Sequence, residues 1–92
     1  MIVRISTVGQ YRVSDETLAR LNELDNDLVA SIQASDEATF RQKYQAMLEL
    51  VQREGEPVSA DEILPSDIIL PPPDLSLEEA RALFTGEGLV PG

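Results

Sequence analysis

Ile2-Val3-Arg4-Ile5-Ser6-Thr7-Val8-Gly9-Gln10-Tyr11-Arg12-Val13 alternates apolar and polar residues with the period of a β-strand, and does so twice. Val3 and Ile5 point one way, Arg4 and Ser6 the other. Tyr11 and Val13 repeat the pattern opposite Gln10 and Arg12. Thr7-Val8-Gly9 lies between the two runs, with Gly9 able to take a positive φ, so the stretch predicts a β-hairpin with a short loop. A lone hairpin is marginal in water. Its apolar face needs a cover, and that requirement organises the rest of the chain.

The cover follows at once. Ser14 is a predicted N-cap, with Asp15 and Glu16 in the first turn, where the helix dipole favours acids. Leu18, Leu21, Leu24, Leu28, Val29 and Ile32 recur at helical spacing, which predicts a helix over 15–34 with Glu16 and Arg20 as a surface pair. Ser35, followed by Asp36 and Glu37, is predicted to cap a second helix over 36–54. Its apolar stripe is Phe40, Tyr44, Met47, Leu48 and Val51, and its predicted i,i+4 pairs are Glu37/Arg41 and Glu49/Arg53. Gly55 and Pro57 stop it. The short connection predicts an antiparallel αα-hairpin sharing one core with the β-hairpin.

From residue 56 to 92 the character changes: eight acidic residues, one basic residue (Arg81) and all six prolines. Ser59-Ala60-Asp61-Glu62 matches a capping box and predicts one short helical turn ended by Pro65. Ile68-Ile69-Leu70 predicts a short strand on the hairpin edge, and Pro71-Pro72-Pro73 favours polyproline II. Ser76-Leu77-Glu78-Glu79 is the clearest capping box and opens a short helix through Ala80, Leu83 and Phe84, closed by Gly86. The segment is too apolar for an acidic tail and too proline-broken for a core helix. It reads as an extended strap, either completing the core or docking a partner, and Ile68, Ile69, Leu70, Phe84, Leu89 and Val90 are the candidate partner-binding residues. The fold class expected is α+β: a β-hairpin on an αα-hairpin, then the proline-rich strap with its short strand and short helix.

Ninety-two residues fit one small domain spanning 1–92, with the strap of 56–92 inside it. A formal charge of −10 repels phosphates and anionic headgroups, which argues against nucleic acid or direct membrane binding; it either favours a basic protein partner or serves only solubility. No cysteine or histidine is present, so disulfides, thiol catalysis and nearly all zinc chemistry are excluded. No apolar run approaches the roughly 20 residues of a membrane span and no leader precedes the first strand, so a cytoplasmic location is expected.

Catalysis finds little support in the residue inventory. Lys43 lies on a charged helix face and is expected to be solvated. Asp61/Glu62 and Glu78/Glu79 sit in predicted first turns, where capping accounts for them, and no calcium-loop spacing surrounds them. Thr85-Gly86-Glu87-Gly88 follows a helix and lacks the Lys-Ser/Thr of a phosphate loop. No catalytic, cofactor-binding or metal-binding residue is assigned, and an enzyme is not expected.

Several strings together resemble the small PspA-associated family, PspAA. They are Met1-Ile2-Val3-Arg4-Ile5, Gly9-Gln10-Tyr11-Arg12-Val13, Leu21-Asn22-Glu23-Leu24-Asp25 and Pro65-Ser66-Asp67-Ile68-Ile69-Leu70-Pro71-Pro72-Pro73-Asp74. Glu78-Glu79-Ala80-Arg81 and Phe84-Thr85-Gly86-Glu87-Gly88-Leu89-Val90-Pro91 complete the set. The terminal string is the most distinctive; the middle helix is generic. The resemblance implies a non-enzymatic accessory of the phage-shock membrane-stress system, placed at the membrane only through a PspA/IM30-type helical partner. No site residues carry over with it. The rival reading is an acidic decoy for a nucleic-acid-binding or transcriptional regulator, which would need carboxylates spaced along one face like phosphates. The sequence leaves open a homo-oligomer, and whether the strap packs on its own body or on a second chain.

Overall fold

Strand β1, Ile2–Ile5, pairs antiparallel with β2, Gly9–Arg12, placing Val3 opposite Tyr11 and Ile5 opposite Gly9. The structure is a computed structural model that describes residues 1–59, 61–62 and 64–83. Gly9 does adopt a positive φ of 148°, but Thr7 at the tip also does, at 71°. A β-branched residue in that region is uncommon, and nothing in the composition signals it.

Helix α1, Asp15–Gln33, opens on Ser14, whose hydroxyl accepts the Thr17 N–H at 3.2 Å. Its buried stripe is Thr17, Leu21, Asp25, Leu28, Ser31 and Ile32, with Leu18 and Leu24 at the margin. The stripe is therefore more polar than the leucine spacing predicts, and Val29 stays only half-buried.

Ser35 does not cap the second helix. It ends the first, in the left-handed conformation at φ 57°. Its N–H reaches the Ile32 carbonyl at 3.1 Å and the Asp36 N–H reaches Ser31 at 2.9 Å, the paired bonds of a Schellman stop. Asp36 is the N-cap of α2, Glu37–Glu54, accepting the Thr39 N–H at 3.2 Å. Phe40, Tyr44, Met47, Leu48 and Val51 are all buried, and Leu50 joins them.

Two of the ion pairs join the long helices to each other and two lie within α2. Glu37 and Arg41 pair at 3.4 Å as the spacing predicts. Arg20 instead reaches Glu54 at 3.7 Å, and Lys43, expected to be solvated, reaches Asp27 at 3.3 Å. Arg53 turns to Glu54 at 3.6 Å rather than to Glu49. Exposed pairs of this kind contribute only about 0–1 kcal/mol each.

Past α2 the chain forms a strand that the helix-stop reading missed. β3, Glu56–Pro57, pairs antiparallel with β2, with Pro57 tolerated because the strand lies on the sheet edge. A Cβ at Gly55 would overlap the Val51 carbonyl oxygen and lie 3.0 Å from the Tyr11 Cβ, so the exit from α2 needs glycine. The predicted helical turn at 59–62 is only a turn, with the Glu62 N–H on the Ser59 carbonyl at 3.0 Å. Its capping box fails because the Glu62 carboxylate goes to Arg12, at 2.9 Å, instead of back to Ser59.

β4, Ile68–Leu70, pairs parallel with β1, which completes a sheet of order β3-β2-β1-β4. The connection from β3 to β4 crosses the outer face of the sheet, held by the Gln10 amide on the Leu64 carbonyl and Ser66 hydroxyl, both at 2.8 Å. Leu75 and then α3, Leu77–Leu83, close over the helices. The capping box here does form: the Ser76 N–H reaches Glu79 Oε1 at 3.2 Å and the Glu79 N–H reaches Ser76 Oγ at 3.1 Å. The expected closure at Gly86 lies outside the described residues.

Candidate protein-interaction site

The six candidate residues divide by side-chain direction. Alternation along β4 sends Ile68 (3% exposed) and Leu70 (0%) into the core beside Val3 and Ile5, and turns Ile69 (58%) outward. Ile68 and Leu70 thus pack on the chain's own body and present nothing to a partner in this conformation. Phe84, Leu89 and Val90 lie outside the described residues.

The strap from 64 to 83 packs in cis. The Asp67 carboxylate accepts the Ile2 N–H at 2.8 Å, and the Asp67 N–H donates to the Ile2 carbonyl at 2.9 Å. Leu75 and Ala80 are buried in the same cluster as the helix stripes. Arg81 donates to the Ser35 hydroxyl, which joins α3 to the turn between the long helices.

Tyr44 is the strap's central anchor. Its hydroxyl donates to the Pro71 carbonyl, and its ring stacks on Phe40 at 5.9 Å with planes 4° apart. Burial, and secondarily the nearby Asp74 carboxylate, push the phenol well above its ordinary pKa. Because the folded value is raised, this contribution to stability is fully present below the unfolded value, about 10, and is lost as pH rises beyond it. Tyr44→Phe is expected to cost ~0.5–1.5 kcal/mol near neutrality through the lost hydrogen bond. The gap to the parent should narrow between pH 7 and about 11 in urea melts; a gap independent of pH would contradict the assignment.

The remaining polar groups are mostly committed to structure. The hydroxyl and then the backbone N–H of Thr39 hold the Asp36 carboxyl below its usual value. Glu79 closes its capping box and Glu62 holds Arg12. Asp25, 1% exposed, is a buried and partnered carboxylate on α1 that the leucine pattern concealed. Its place in the 21-25-28-32 spacing was the available signal. Among the described residues no group of three or more carboxylates could hold a metal ion, and no helix is long and apolar enough to cross a membrane. A groove of about 370 Å³ runs along α2, with Phe40, Tyr44, Leu48, Pro73 and Leu75 as its apolar wall and Arg41 and Glu49 on its rim.

A model of the PspA-associated protein family, PspAA, matches residues 1–92. The chain belongs to that family. No curated protein and no solved structure matches it. In this PspAA member three of the family-like strings fall at well-packed parts of the fold. Met1 to Ile5 includes β1; Leu21 to Asp25 carries two fully buried side chains; Pro65 to Asp74 holds β4 and the carbonyl on which Tyr44 closes.

Proposed function

We propose that the chain is a non-enzymatic adaptor or regulator of a PspA-type protein in the phage-shock membrane-stress response, acting by protein–protein contact. The family match over residues 1–92 carries this reading, since the family's name records association with PspA. The polar chemistry agrees with it. Lys43 pairs with Asp27, Glu62 with Arg12, and Glu79 closes the cap at Ser76, within a chain of strongly acidic balance.

The acidic balance favours one kind of contact. At −10 the chain is drawn to a basic stretch of a partner and repelled by anionic lipid, so it would act in the cytoplasm and reach a membrane through its partner. Mixing the full chain with purified PspA-type protein is expected to give a complex in sedimentation velocity, with association slowing from about 50 to about 500 mM salt. Absence of a complex at either salt would remove the adaptor reading. A complex indifferent to salt would remove its electrostatic part.

A further inference from the structure

We infer that the open edge of β4, centred on Ile69, is a strand-docking site for an extended basic segment of a partner protein. The existence of a partner rests on the adaptor reading; the place and chemistry of the contact rest on the strand itself.

The backbone sets the geometry. The Ser6 N–H donates to the Leu70 carbonyl at 3.0 Å, so that carbonyl faces β1. Successive peptide groups of a strand face opposite edges, so the N–H and C=O of Ile69 both face away from β1. β4 ends the sheet, and among the described residues no strand pairs with this outer edge. An outward donor and acceptor on one residue is the half-site of a hydrogen-bonded antiparallel pair, the group by which a peptide adds a strand to a sheet.

The side chain adds to it. Ile69, at 58%, is the most exposed large apolar residue described, ahead of Met1 at 48% and Val8 at 42%. A strand laid on the edge would cover it with a cross-strand neighbour. The edge is also short by construction. Pro71 has no N–H and its carbonyl already accepts Tyr44, so pairing stops after Leu70. This brevity hinders indiscriminate edge-to-edge stacking and leaves one register, with a partner residue opposite Ile69.

Charge selects the occupant. Asp67 and Asp74, both exposed, flank the strand in sequence within a chain of net charge −10, and the Asp67 carboxylate also accepts the Ile2 N–H of β1. A second copy would bring the same excess of acid to the same edge, whereas a segment with lysine or arginine beside an apolar residue is attracted to it. Arg4 neighbours Ile69 but sits on β1, two strand spacings or about 10 Å from the docked strand, where water weakens its repulsion.

The test uses the ¹⁵N-labelled full chain and a seven-residue peptide of alternating valine and lysine, with a glutamate-for-lysine counterpart as control. The lysine peptide is expected to shift amides at 67–70 and slow exchange at Ile69. Its binding should weaken at least about tenfold in Ile69→Lys, whose melting stays that of the parent, and about tenfold with the glutamate peptide. Shifts centred elsewhere, no shifts, or equal binding by Ile69→Lys would overturn the site. So would an Ile69 amide already protected in the free monomer, or a free chain that dimerises through it. Against a purified PspA-type protein, undiminished binding by Ile69→Lys overturns this site and leaves the adaptor reading standing. Failure of the parent chain to bind overturns the adaptor reading, and the peptide result then decides the edge alone.

Discussion

A chain ended at residue 65 is expected to lose cooperative folding. The removed part supplies β4, the parallel neighbour of β1, and with it the Asp67–Ile2 and Ser6–Leu70 backbone bonds. It also takes Ile68, Leu70 and Leu75 out of a cluster in which they are 3%, 0% and 4% exposed. At ~1.5–3 kcal/mol for each large apolar side chain, burial alone amounts to roughly 5–9 kcal/mol. That is comparable with the whole stability of a small domain, about 5–15 kcal/mol. The truncation also bares Val3 and Ile5 and leaves Tyr44 without its acceptor on Pro71. Circular dichroism should show a weak, broad melt or none. A sharp melt near that of the full chain would mean that the strap only rests on the body, and would return Ile68 and Leu70 to the surface as partner contacts.

The sequence made the elements legible where one local signal determined each of them. Alternation over 2–13 gave β1 and β2, and the apolar repeats gave both long helices with five of the six buried positions of α2. The capping box at Ser76 gave the start of α3, and there Glu79 does turn back to the Ser76 N–H. What was not legible depended on competition between distant groups. Ser59–Glu62 has the same capping pattern as Ser76–Glu79, yet Arg12, far away in sequence, takes Glu62. Ser35 and Asp36 are both good caps, and only the left-handed turn at Ser35 decides which helix each serves. β3 could not be read from two residues, one of them proline, since it exists only because β2 offers an edge. The candidate site divided for a simpler reason. An apolar triplet is one cluster in sequence, but a strand sends its middle residue to the opposite face, so Ile69 parts from Ile68 and Leu70.

Phe40→Ala should be the most damaging single substitution in α2. Phe40 is fully buried, and its ring is the stacking partner that holds Tyr44 in place for Pro71. Truncation removes the transfer energy of the ring and leaves a void that the surrounding helices fill only in part, at a cost of ~3–5 kcal/mol. Leu21→Ala and Met47→Ala, also fully buried, belong in the range of about 2–5 kcal/mol. For a chain of this size each kcal/mol lowers the melting temperature by about 4–8 °C. Phe40→Ala is therefore expected to melt at least about 12 °C below the parent, while Gln42→Ala, on the exposed side of the same helix, should stay within ~0.5 kcal/mol. The contrast tests function as well as fold. If the Phe40 face were a docking face for a partner rather than core, Phe40→Ala would keep its melt and lose the complex. Loss of the melt assigns the face to the core, and leaves Ile69 on the edge of β4 as the most exposed large apolar side chain among the described residues.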